Sequence, residues 1–357
     1  MSNGEAIGQP PNAQEIRDLK RLATGIIRAQ GNRFIKELMR EKSITLGATK
    51  DDFEANLNAA IESGTLRLAD VAAWLETVEG WGNQHVYLYA ISSTVARQLT
   101  EPKLHQAATA AGHGKLWNAS TVLAFPDTPR LTSISFDGRA LRLVWQEASP
   151  GWTPTPTKDF RQEEGLDTFE YRAYRKVERR AITRFEAHKD LGLAALFVGD
   201  PIQGEEHAQA IATARAEIGK LINLNALEAN RMDISVVSRN MDQRNVPSNT
   251  NPSPGIKTQK TRLASGGAYV EFAARASDRG YAEENAIRDV RNAIRAPQLP
   301  AFQGATGVFL YQPGSAAGAI GRPLRVQLYG NGDRIRLWAQ MDSAEVWAIL
   351  NDIGSYT

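Results

Sequence analysis

From residue 14 onward the apolar positions recur at helical spacing. In "QEIRDLKRLATGIIRAQ" (14–30), Ile16, Leu19, Leu22, Ile26 and Ile27 fall close to one face. Residues 33–42 repeat the pattern with Phe34, Ile35, Leu38 and Met39. "TKDDFEANLNAAIESG" predicts a third helix. Thr49 stands where an N-cap belongs, Asp51, Asp52 and Glu54 suit the positive helix start, and Gly64 stops it. "RLADVAAWLETVEG" predicts a fourth helix, ended by Gly80. Residues 14–80 therefore predict a small helical domain, preceded by a polar tail (1–13) that reads as disordered.

At residue 81 the pattern changes. "QHVYLYAI" (84–91) is strand-like, and "STVARQLTEPKLHQAATAAG" is helical again. "LTSISFDGRALRLVW" (131–145) alternates on both sides of Asp137-Gly138, which predicts a hairpin. "WTPTPTKDF" reads as a loop, and 168–198 as two strands, the second "GLAALFV". A helix is expected at about 204–228, then a strand "DISVVS" (233–238). Residues 245–262 are rich in Pro, Asn and Ser and predict a mobile loop. The strand "GAYVEFAA", the helix "AEENAIRDVRNAI" and the strand "GVFLYQ" follow. The chain closes with a second hairpin, "LRVQLYGNGDRIRLW", and the helix "SAEVWAILNDI". The expected class is α+β: helices first, then a larger, mainly antiparallel sheet region over 81–357 with flanking helices, either one domain or two subdomains.

Composition narrows the chemistry. With no cysteine among 357 residues, disulfides, zinc thiolate sites and cysteine nucleophiles are excluded. No apolar run is long enough to span a bilayer, and no signal pattern opens the chain, so a cytosolic (cytoplasmic) protein without membrane association is expected. None of the five histidines (His85, His105, His113, His188, His207) has metal-ligand spacing. "AAGHGKLW" (110–117) lacks the first glycine and the Ser/Thr of a phosphate loop, and Gly-rich "PGSAAGAIG" (313–321) reads as a flexible loop. Asp200, Glu217 and Lys220 are the residue types of a metal-dependent nuclease, but Glu217 and Lys220 fit an i,i+3 surface pair more simply. No catalytic residue, metal ligand or cofactor site is assigned.

Charge is more informative. The net charge is only +2, yet residues 171–189 hold seven basic and two acidic side chains, and 239–262 hold five and one. Residues 1–80 hold ten basic and twelve acidic side chains. In "EYRAYRKVERRAITRF" (170–185), Arg172, Tyr174, Lys176, Arg180 and Arg184 share one side of a strand, with Arg175 and Arg179 on the other. Such a cationic, tyrosine-interleaved face suits phosphate contacts, while an edge strand protected by charge explains it about as well. Two further sets are Lys257, Lys260 and Arg262 in the expected loop, and Arg325, Arg334 and Arg336 on the last hairpin.

Residues 34–66 resemble a SAP-type helix–extension–helix DNA-binding motif. The matching positions are Ile35, Leu38 and Met39; Ile44, Leu46 and Gly47 in the extension; Thr49-Lys50; and Phe53, Leu57 and Ile61. The resemblance implies that the second helix offers its N-terminus and Lys50 to a phosphate. Asp51 and Asp52 sit beside that lysine, and Asn56 stands where the family often has a basic residue. The wider layout, a helical domain followed by "QHVYLY", "ISFDGRALRLVW", a Pro/Thr loop and a Tyr-rich strand, resembles the kinetochore centromere protein N family, which uses basic surfaces on DNA. The expectation is a non-enzymatic DNA-binding protein, with RNA left open, whose sheet grips the backbone while the helical domain assists or docks a partner. The alternatives are an adaptor or assembly subunit that binds another protein or its own copies, and a metal-dependent nuclease.

Overall fold

The computed structural model describes residues 13–119, 126–199, 204–244, 255–262, 269–274, 286–287, 289–290, 293 and 306–357. The polar tail up to residue 12, the first part of the expected loop (245–254) and Asp200 lie outside them. The described residues form two compact units. One holds the chain up to Glu79 together with Glu147–Ala181 and the described part of Leu123–Thr128; the other holds the rest.

In the first unit, α1 (Ala13–Ala29), α2 (Asn32–Glu41), α3 (Lys50–Glu62) and α4 (Leu68–Val78) appear where the periodicity puts them. Their apolar stripes meet in one core that includes Leu19, Ile27, Ile35, Met39, Phe53 and Ile61. Thr49 caps α3 in a reciprocal capping box with Asp52. The α2–α3 extension is held by local chemistry. Ile44 is buried in the core, and the Asn56 amide donates to the Thr45 carbonyl at 2.9 Å. Gly47 backs onto Asp52 so closely that a Cβ there would collide with the aspartate side chain. The unit also holds a piece of sheet. The segment expected as a Pro/Thr loop (152–160) instead contributes the end of a long strand and a single 3₁₀ turn, and it leads into a hairpin whose five-residue strands, 160–164 and 167–171, are exposed throughout.

The second unit is built on a ten-stranded sheet, two of whose strands continue into the first unit at residues 147–154 and 174–181. Its strands are β1 (Gly82–Ala90), β2 (Arg130–Phe136), β3 (Ala140–Pro154), β6 (Tyr174–His188), β7 (Leu193–Gly199), β8 (Gly255–Arg262), β9 (Tyr269–Ala273), β10 (Thr306–Tyr311), β11 (Leu324–Tyr329) and β12 (Arg334–Gln340). The exposed hairpin of the first unit supplies β4 (Phe160–Glu164) and β5 (Asp167–Tyr171). The order across the sheet is β2-β3-β6-β7-β1-β12-β11-β10-β8-β9, and the described ladders are antiparallel. The α+β class read from the sequence is the observed one.

Helices cover this sheet on both faces. After β1 come α5 (Ser93–Ala96) and α6 (Glu101–Ala110); after β7 come α7 (Gly204–Leu221), α8 (Leu224–Glu228) and α9 (Ile234–Arg244); the chain ends in α10 (Ser343–Gly354). Val86, Leu88, Phe197, Val326, Leu328, Ile335 and Leu337 pack with α9 and α10. On the opposite face the Tyr89 hydroxyl meets Glu228 of α8 at 3.4 Å, and His85 meets His207 of α7 ring to ring at 5.2 Å. Among the described residues no helix is long and apolar enough to cross a membrane.

Two expectations are corrected. Residues 234–244 form a helix, not the strand "DISVVS". Ile234, Val237 and Met241 are buried at helical spacing, and the Asp233 carboxylate accepts from the Ser235 and Val236 amides to start the first turn. Residues 255–262 form β8, paired on both sides, rather than the second half of a mobile loop. Of the helix expected at "AEENAIRDVRNAI", the described residues 286–287, 289–290 and 293 are helical.

Candidate nucleic-acid interface

Strict alternation sorts β11 and β12. Leu324, Val326, Leu328, Ile335 and Leu337 face the core, so Arg325, Gln327, Tyr329, Arg334, Arg336 and Trp338 face the other way. The register sets Tyr329 opposite Arg334 and Gln327 opposite Arg336, and Arg325 and Trp338 each follow one residue beyond its last pair, Val326 and Leu337. The Arg334 guanidinium lies 4.8 Å from the Tyr329 ring centre, and that of Arg336 lies 5.2 Å from the Trp338 ring. The row through Tyr329 continues to Thr306 on β10 and Lys260 on β8. Lys260 and Arg325 are exposed, Arg334 is half-buried, and Trp338 keeps 51% of its surface in water. Glu271 of β9 stands opposite Lys260.

Arg336 plays a different part. It is 6% exposed and donates to His85 Nε2 at 3.0 Å and to Asn83 Oδ1 at 3.4 Å. A guanidinium only donates, so His85 Nε2 is the acceptor and that ring is neutral. Burial lowers the pKa of His207, and the nearby positive charges of Arg334 and Arg336 lower it further. Burial and the two arginines thus disfavour the charged form of His207, and the fixed positive charge of this face comes from arginine and lysine.

The basic strand does not form the single water-facing row expected from 170–185. Arg180 has only 3% of its side chain exposed and donates from Nε to Glu79 Oε1 at 3.0 Å. Arg184 is buried at 8%, lies 4.3 Å from the Trp81 ring centre and donates to Glu186 Oε1 at 3.2 Å. Glu186, itself buried, also meets His188 Nε2 at 2.9 Å and the Trp347 indole N–H at 3.0 Å. The reason is that both sides of β6 are covered here: every residue from Ala181 to Ala187 is buried, Phe185 as fully as its even-numbered neighbours, and Arg184 pairs across the ladder with core-facing Phe197. Arg172 lies 3.8 Å from Glu170, Arg175 lies 3.2 Å from Glu54, and Lys176 is exposed. The Arg179 and Arg262 side chains lie outside the described residues. Lys257 is buried in β8, contrary to its expected place in a solvated loop. Lys50 opens α3 but donates to the Gln30 carbonyl at 3.1 Å. Lys220 and Glu217 form the expected i,i+3 pair at 2.8 Å, and Glu217 also holds His113 at 2.6 Å.

The sequence reading missed two features. Trp338 ends a visible alternation, "RIRLW", but nothing local shows that the tryptophan lies on the open side. The other is the β4–β5 hairpin. Its register puts Phe160 opposite Tyr171 and Gln162 opposite Phe169, with the Phe160 and Tyr171 rings stacked at 4.6 Å. Phe160, Leu166, Phe169 and Tyr171 are all exposed, as are neighbouring Trp152 and Tyr174. The strands and turn carry one arginine (Arg161) against Glu163, Glu164, Asp167 and Glu170.

No known family model, curated protein or solved structure matches this chain. The functional reading rests on geometry and charge.

Proposed function

We propose that this chain is a non-enzymatic nucleic-acid-binding protein that holds the phosphate backbone of DNA on the open face of β8, β10, β11 and β12. The observation that carries this reading is that Lys260, Arg325 and Arg334 share one sheet face with a half-exposed tryptophan, Lys260 and Arg334 lying in one row four residues along from Trp338. Basic side chains on a surface of this kind supply the sequence-independent part of nucleic-acid affinity. The arginine set of the last hairpin thus takes the role first expected of the 170–185 strand. The test is the double variant Arg325→Gln, Arg334→Gln. Arg325 reaches water and Arg334 is half-buried over Tyr329, so a stability loss of up to about 1 kcal/mol is expected. Affinity for duplex or single-stranded DNA should fall on all sequences alike, with the salt slope shallower by about two. Unchanged affinity and slope would leave this face as a merely solvated surface.

The adaptor reading has an observation of its own. The β4–β5 hairpin exposes four large apolar side chains in a segment that is net acidic. Exposed apolar surface of this kind marks a contact site, and its carboxylates disfavour a polyanion. Under this second reading the helical unit docks a basic protein through that hairpin.

A further inference from the structure

We propose that the ligand of the open sheet face is single-stranded nucleic acid with a base stacked on Trp338; this rests on the backbone-gripping reading above and narrows it. Three observations lead there. The first is position. β11 and β12 are interior strands, flanked by β1 on one side and by β10 and β8 on the other. A duplex major groove admits an α-helix or a two-stranded ribbon, whereas the middle of a broad sheet cannot enter it. A single strand laid flat on such a surface can reach every residue named.

The second observation is the tryptophan. An indole 51% exposed in the interior of a sheet does not protect an edge, and it does not fill the core. Its neighbours leave it presented: Arg336 lies 5.2 Å from the ring and is itself held by His85 and Asn83. Aromatic side chains on an open sheet stack with splayed bases and tolerate any sequence. The third observation is the charge around it. Arg325 and Trp338 each stand one residue beyond the Val326–Leu337 pair that ends the β11–β12 ladder, and Arg334 and Lys260 share the row through Tyr329, four residues along β12. With strands about 4.8 Å apart, Lys260 and Arg334 span roughly 14 Å of surface, enough for a backbone to run across the strands. Stacking and phosphate contact are the two ingredients of single-strand binding, and both are present on one face.

The experiment measures fluorescence anisotropy of labelled oligo(dT), oligo(U) and a mixed-sequence duplex against the full chain. It is repeated for Trp338→Ala, Trp338→Phe and Arg325→Ala, each checked for its unfolding transition. Trp338→Ala should weaken both single strands by about tenfold, and Trp338→Phe by less than about threefold, since an aromatic face remains. Duplex binding should be weaker than single-strand binding and indifferent to Trp338. Arg325→Ala should weaken all three and flatten the salt dependence. Relative affinity for oligo(dT) and oligo(U) assigns the ligand as DNA or RNA. Duplex bound as tightly as single strands, with no effect of Trp338→Ala on either, would overturn the single-strand inference. A salt slope that still responds to Arg325→Ala would then leave the backbone reading standing. Absence of salt-dependent binding to all three would overturn both.

Discussion

Identical arginines have different fates in this protein, and their neighbours decide which. Arg180 and Arg325 both look like surface cations in the sequence. Arg325 alternates outward from a strand whose other side is core, and it reaches water. Arg180 has almost no exposed surface and is tied to Glu79. Removing it leaves a carboxylate that is only slightly exposed and has lost this partner, which is costly. Arg180→Ala should therefore destabilise the protein by about 3 kcal/mol in urea titrations, and the salt slope of nucleic-acid binding should stay as it was. A lost phosphate contact with normal stability would place Arg180 on the binding surface after all. Asn56 makes the same point on a smaller scale. Its amide pins the α2–α3 extension through the Thr45 carbonyl, so a residue that looks like a free surface polar group has a structural task.

At the scale of elements, local signals succeed where the turn or cap is chemically specific. The Asp137-Gly138 hairpin is one case. Asp137 Oδ1 accepts from the Arg139 and Ala140 amides at 2.9 and 2.8 Å, and Arg142 donates to Oδ2 at 2.8 Å. Burial by itself would raise this carboxyl, but those donors outweigh it and hold the pKa at about 2. A depressed carboxylate stabilises the fold above its ordinary value of 3.8 and loses that contribution as pH falls towards 2. Asp137→Asn should lower stability at neutral pH and flatten the stability profile between about pH 4 and 2. An unaltered acid limb in thermal melts would assign that dependence to other carboxylates. Local propensity fails at 233–238, where β-branched Ile234, Val236 and Val237 suggest a strand. Packing of Ile234, Val237 and Met241 against the sheet overrides that preference.

At the scale of the molecule, two chain segments far apart in sequence build one unit: the helices up to Glu79 and the excursion Glu147–Ala181. The β4–β5 hairpin lies within that excursion, and every residue of its strands is exposed. Two-stranded hairpins of this kind add little stability by themselves. Replacing 160–171 by a short Gly/Ser turn should leave the unfolding midpoint within about 3 °C of the parent. Nucleic-acid affinity should hold or rise slightly, because four carboxylates leave with it. A collapse in solubility or midpoint would show that the hairpin packs as part of the core. A clear loss of nucleic-acid binding would turn its aromatics into part of the interface.

The sequence by itself determined the four N-terminal helices to within a residue or two, the two hairpins, the closing helix and the α+β class. Each of these depends on contacts within a few residues: caps, turn pairs, and apolar spacing of 3.6 or 2. It also named Arg325, Arg334 and Arg336 as one basic set, because a tight hairpin keeps neighbours in register. Only the tertiary structure decided which cations meet water. A strand's two faces are interchangeable until it is known which side is covered, and the covering elements here come from distant segments. Arg184 is buried because β6 is covered on both sides from Ala181 to Ala187, where it pairs with β7. Lys260 joined the arginines because β8 inserts beside β10, from a stretch whose composition read as loop. Trp338 became a presented ring because its strand lies inside the sheet while that side of it stays open. Strand order and face assignment are long-range properties, and no local pattern encodes them.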